Sequence, residues 1–347
     1  LVRAQIQRLF AVLVGSPIVI VAYLITRLLF PADQAMRLTI PALVAFHPMI
    51  TEITAVVSVD GLLIVCYSVL IYLSLRVFRD GFNWRYGLAI GGVFAFGMLI
   101  KPTLNGYAPL IALLLIYDWW RSPARCKEIV KAAALMAVVI AVPVGWWMQR
   151  SWRLNGDLFY FNPVVEGHRI INNPYYDYTF WPHLVDYYQS VWGGIFTTWW
   201  AHFGWLDTAL PPWVYHLLRL LTALAIIGLT VRLAQIRRRP LPSKDWAKGE
   251  GVAPLVVWLF LALSIVVPIV LLQVYDLTFW WQYGNGRGLQ GRYWLGTVVP
   301  MLTFFTLGLL FVTPRCWHAA VHTWLRIGMV VLNLVALLGY ILPRYYL

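Results

Sequence analysis

Apolar residues dominate the chain in runs of about 18 to 20 that recur from end to end, each long enough to cross a hydrocarbon core of about 30 Å as a helix. The pattern predicts ten spans, at 9–29, 38–58, 61–78, 86–100, 103–118, 132–149, 213–233, 252–274, 294–312 and 324–342. The second carries Pro41, His47, Pro48 and Glu52, and the fourth is short and glycine-rich. The expected fold is all-α, a polytopic transmembrane helix bundle. It divides into residues 1–149 (six spans), 150–212 (an aromatic-rich loop) and 213–347 (four spans).

Composition supports this class. The 347 residues are 61% hydrophobic and 12% charged, with a mean hydropathy of +0.71. An ordinary soluble domain carries about twice that charged fraction. The formal charge of +13 raises nucleic acid as a partner, but its distribution removes that reading. Arg76, Arg79 and Arg85, then Arg121, Arg125, Lys127 and Lys131, then Arg237, Arg238, Arg239, Lys244 and Lys248 fall in every second loop. The intervening segments hold most of the loop acids: Asp60, Asp157, Glu166, Asp177, Asp186, Asp207 and Asp276. Basic loops face the cytoplasm. Asp60, Lys101, the 150–212 loop and Arg287 with Arg292 are therefore expected together on the outer side of the membrane. Arg3 and Arg8 precede the first span on that same side, and no initiator Met is present. The chain is thus expected to begin within an extracytoplasmic segment of a longer protein, with a first span and its loop upstream.

Cys66 lies in a span and Cys126 and Cys316 in cytoplasmic loops, so no exported disulfide framework is implied. No metal-ligand spacing and no phosphate-cradling glycine motif of a nucleotide site occurs. No cofactor is required, and no ligand cluster supports a divalent metal. No internal repeat suggests a transporter built of inverted halves.

Chemistry concentrates in a few places. The stretch WQYGNGRGLQGRYWLGTVVP sets Arg287 and Arg292 in a glycine-rich turn before an apolar span. Cations at the lip of a bilayer core hold an anion or sit at headgroup level. Gly291 is expected to let the backbone approach that anion, and Arg292 to clamp a phosphate bidentately. Lys101 precedes Pro102 at a helix break, where freed amides also suit an anion. Snorkelling to the interface is the plain alternative for all three. Asp60 is a candidate N-cap, a group for acceptor hydroxyls or a partner for Lys101. Glu52 is an ionisable group inside a span. Glu166 and His168 on the loop are candidates for an acid–base pair, with an ordinary solvated pair as the alternative. That loop is dense in aromatics, which favour the headgroup zone and also stack on sugars or prenyl chains. Trp200, Trp205 and Tyr293 are the stacking candidates, and Asp186 to Trp200 has helical spacing along the membrane surface.

FGWLDTALPPWVY at 203–215, QGRYWLGTVVP at 290–300, IKPT at 100–103 and HPMITEITAVVSVDGLL at 47–63 resemble a bacterial family of multi-spanning membrane proteins grouped with the GT-C glycosyltransferases. The resemblance covers most of the chain. It implies a GT-C-like bundle that transfers a sugar from a polyprenyl-phosphate donor to a glycan, lipid or protein acceptor on the outer face, in envelope polysaccharide assembly. It also implies that the family's acidic residue lies in the first outer loop, ahead of residue 1. No residue here takes that role by resemblance, and Asp60, Glu52 and Glu166 remain the carboxylate candidates. Arg292, Lys101 and Arg287 would bind the donor phosphate. Two rival readings are a transporter or flippase of lipid-linked glycans and a non-catalytic scaffold of an envelope-polysaccharide complex.

Overall fold

The computed structural model describes residues 2–158, 180–204, 206–236, 246, 253–283 and 289–345. Arg287, Glu166, His168 and Trp205 lie outside the described residues. The chain is a polytopic helical bundle, as the hydropathy pattern requires. Seven described helical segments are long and apolar enough to cross a membrane, or eight if one bent pair counts as a span. Two of the ten expected runs fall short of that length among the described residues. The 86–100 run lies in a 17-residue helix, and the 103–118 run divides into a 3-10 turn, Pro102–Tyr107, and a 14-residue helix.

The first span is α1 (Val2–Gly15) and α2 (Pro17–Leu29), joined at Ser16, with Pro17 at the first helical position where its missing N–H costs nothing. The second is broken into α3 (Gln34–Ala45) and α4 (Pro48–Ala55), which bend by 52°. Pro48 forces the break, because the residue before a proline avoids helical backbone, and His47 is extended at φ −67°, ψ 120°. The carbonyl of Phe46 freed by the break accepts from Asn333 Nδ2 at 3.0 Å. A polar group at membrane depth is thereby satisfied from a neighbouring helix.

α5 (Asp60–Asp80) is the central helix, with 12 of its 21 residues buried along its whole length. α6 (Trp84–Ile100) and α7 (Ala108–Arg121) pack on it, and α8 (Cys126–Asn155) packs along α6. Asn83 caps α6, its side chain accepting from the amides of Arg85 and Tyr86. α9 (Phe180–Trp200) leads into a hairpin of two short strands, β1 (His202–Phe203) and β2 (Thr208–Ala209), paired antiparallel. α10 (Pro212–Ile236) and α11 (Leu255–Tyr283) follow. A 3-10 turn, Gly291–Thr297, runs directly into α12 (Val298–Val312). α13 (His318–Ala336) continues through a π turn into the short α14 (Leu342–Tyr345). α10 and α12 approach to backbone contact at Gly228 and Gly308, the small-residue packing of helices in lipid. Exposed Ile226, Leu259, Val266 and Leu338 form the apolar exterior.

The two ends of the bundle differ. At one end, the first basic loops knit together: Arg121 and Arg125 donate to the carbonyls of Phe78 and Phe82, and Asp118 accepts from the Phe82 amide. At the other end stand Asp60, Lys101, the hairpin and Arg292. There α9, the described helix of the 150–212 stretch, packs against the 291–297 turn and α4. It is docked on the bundle.

Candidate functional site

Lys101 is the C-cap of α6. Its amide still bonds to Gly97 at 2.9 Å, but Pro102 turns the chain into the extended region at φ −156° and ends the helix. The side chain is left at the helix mouth, where Nζ meets Asp60 Oδ1 at 2.7 Å. Asp60 begins α5, so one carboxylate serves both a helix N-terminus and an ammonium. This is the Lys101 partnership that the sequence left among the alternatives for Asp60.

Arg292 reaches the same place from the other half of the chain. Tyr293 stands between the two cations: its ring centroid lies 5.1 Å from Lys101 Nζ and 5.7 Å from Arg292 Cζ. Both distances are within the range of cation–π attraction. Arg292 Nε is buried and meets no hydrogen-bond partner among the described residues.

The 291–297 turn is held by its glycine in a way the sequence reading did not anticipate. The Gly291 amide donates to Thr198 Oγ1 at 2.7 Å, and a side chain at this position would collide with the α9 backbone at Ile195 and Trp199. Gly291 therefore seats the turn on α9. Its amide is spent on Thr198, and the expected backbone approach to an anion is replaced by a packing role.

Between these elements lies a cavity of about 200 Å³. Asp60 and Tyr67 of α5, Lys101 and Thr103, Tyr275 and Asp276 of α11, and Arg292 and Tyr293 line it. Tyr67 donates to the Thr103 carbonyl at 2.9 Å and fixes the wall beside Lys101. Asp276 is 3% exposed and accepts from Tyr187 of α9 at 2.7 Å. By its sequence Asp276 is one of the loop acids. The available signal was a carboxylate near the end of the strongly apolar run that ends LLQVYDLTFWW.

Other candidates fall elsewhere. Glu52 interacts electrostatically with Arg292 but does not line the cavity. Its Oε1 accepts from the Gly204 amide at 2.7 Å, and its Oε2 is buried without a partner among the described residues. Glu52 thereby fastens the hairpin to α4. Gly204 has φ +61°, and a Cβ there would strike the Tyr345 hydroxyl. The glycine of the FGW block is thus dictated by backbone and space together. Asp207 of the same hairpin accepts from the hydroxyls of Tyr345 and Thr208 and pairs with Arg344. The Tyr345 hydroxyl holds its carboxyl below the ordinary range. Trp200 is a correction. It is 3% exposed, stacked on His47 at 5.5 Å and edged by Trp199 and Phe305. Its faces are occupied by protein, because the aromatic end of α9 fills the space beneath α4. Tyr293 is the described stacking candidate that lines the cavity.

A family model described as dolichyl-phosphate-mannose-protein mannosyltransferase matches residues 3–147. This stretch is similar to a GT-C glycosyltransferase family. No curated protein and no solved structure matches the chain significantly. The matched region runs from α1 into α8 and supplies Asp60, Tyr67, Lys101 and Thr103 to the cavity. The wall carrying Asp276, Arg292 and Tyr293 lies beyond it. The described chain is a polytopic helical bundle, and over residues 3–147 it is similar to a family of membrane glycosyltransferases.

Proposed function

We propose that this chain transfers a sugar from a polyprenyl-phosphate donor, and that the donor phosphate occupies the cavity between Lys101 and Arg292. The carrying observation is convergence. Two cations from opposite halves of the sequence, each breaking an apolar run, meet on one tyrosine ring in one cavity. A lipid phosphate is an anion native to that depth. Arg292 offers a planar fork and Lys101 a point charge, and both gain strength as negative charge builds on the departing phosphate. Asp60 holds the ammonium in place when the site is vacant. A volume of about 200 Å³ lies below the roughly 300–1,000 Å³ of drug-sized ligand sites. It suits a phosphate with one sugar ring better than an oligosaccharide. The acceptor lies on the outer face, in envelope glycan assembly, and the membrane is the bacterial cytoplasmic one.

Radiolabelled sugar transfer in proteoliposomes tests the reading. Arg292→Ala should lower transfer by about 2–4 kcal/mol of transition-state stabilisation with the protein still folded in the membrane. Arg292→Lys should recover part of the loss. An alanine variant that works at the wild-type rate removes the phosphate clamp. A wild type that moves intact lipid-linked sugar across the bilayer without transferring it makes the protein a flippase.

A further inference from the structure

We infer that Asp276, oriented by Tyr187, reads hydroxyl groups of the donor sugar and is a specificity-determining residue of the cavity. The inference rests on the donor reading above and assigns the wall that reading leaves unused. Asp276 sits on α11, lines the same cavity as the two cations, and is 3% exposed. A carboxylate at that depth is costly without hydrogen bonds. It has about four acceptor sites and no donors when ionised, so it repels phosphate oxygens and attracts O–H groups. The cavity is thereby polar in a directional sense. Phosphate is drawn to Lys101 and Arg292, and the group that faces Asp276 must donate. In a phosphate-linked sugar, the ring hydroxyls are such donors.

Tyr187 gives the carboxylate a fixed aim. It is 1% exposed on α9, and its hydroxyl donates to Asp276 Oδ2 at 2.7 Å across 89 positions of sequence. Burial first, and then the Asp276 carboxylate, push the phenol above its ordinary range, so the hydroxyl keeps its proton as a donor. α9 also carries Thr198, which holds the Gly291 amide and so the turn bearing Arg292. One helix thus sets both the cation wall and the carboxylate wall. A purely structural α9–α11 tie would tolerate Asn at 276, whose amide oxygen still accepts from Tyr187.

The test is the affinity ratio of polyprenyl-phosphate mannose to bare polyprenyl phosphate, measured on the full chain in nanodiscs. Wild type should prefer the sugar-bearing lipid. Asp276→Asn should lower that ratio about ten- to a hundred-fold, as expected for lost hydrogen bonds to a charged group, and should bind the bare lipid as well as wild type or better. Tyr187→Phe should lower the ratio part of the way, and it decides the matter if Asp276→Asn does not fold. A ratio unchanged in the folded variants makes Asp276 a structural tie and overturns the inference while leaving the donor reading intact. Equal wild-type affinity for the two lipids also overturns it. A wild type that binds neither lipid removes the donor reading and the inference together.

Discussion

Gly204 shows how a single residue ties the sequence blocks to the site. Its positive φ and the Tyr345 hydroxyl beside it leave no room for a side chain. Gly204→Ala should destabilise the hairpin by about 1–3 kcal/mol, the range for backbone held in a sparsely populated region. Thermal unfolding in detergent with hydrogen exchange over 202–209 would measure it. An alanine variant as stable as wild type would contradict the geometry. Asp207 adds a pH dependence to the same hairpin. Its folded-state carboxyl is held low by Tyr345. The stabilisation is present above the ordinary carboxylate pKa of about 3.9 and is lost as pH falls through the lower folded value. Hydrogen-exchange protection at 202–209, taken relative to the intrinsic rate at each pH, should fall below about pH 4, and Asp207→Asn should remove that acid-specific change. At this scale Lys101, Asp60 and Arg292 were legible as charges interrupting apolar runs. Asp276 and Tyr187 were not. A period of hydrophobicity does not say which helix faces which, and their meeting is a tertiary contact.

Element boundaries were legible where chemistry punctuates them. Pro48 and Pro102 mark breaks that the structure contains, and both expose groups used by the site or its support. The internal form of each span was less legible. A 3-10 turn followed by a short helix at 102–121 has the composition of a span without its length. The α9 helix was expected from Asp186 to Trp200, and it begins earlier, at Phe180. Its docking on the 291–297 turn could not be read from a pattern of aromatics that also suits an interface. Because Thr198 holds the Gly291 amide, Thr198→Val should shift that turn with little loss of bulk. Transfer activity should fall several-fold, and the loss should be larger with Arg292 as the phosphate ligand than in an Arg292→Lys background. Additive losses in the double-mutant cycle would show that α9 does not act through Arg292.

For the whole molecule, the alternation of basic loops predicts that 150–212 and Arg292 face outward and 232–250 inward. Cysteine labelling in intact cells should mark the first set and spare the second, and the reverse result would move the cavity to the cytoplasmic side. The bundle gathers the charges of the first two basic loops at one end and the cavity at the other. The most direct test of the account is a structure of the full chain with bound polyprenyl-phosphate sugar. The phosphate should lie within hydrogen-bond distance of Arg292 and Lys101, beside the Tyr293 ring. A phosphate bound elsewhere on the bundle, with the cavity filled only by water, would contradict it.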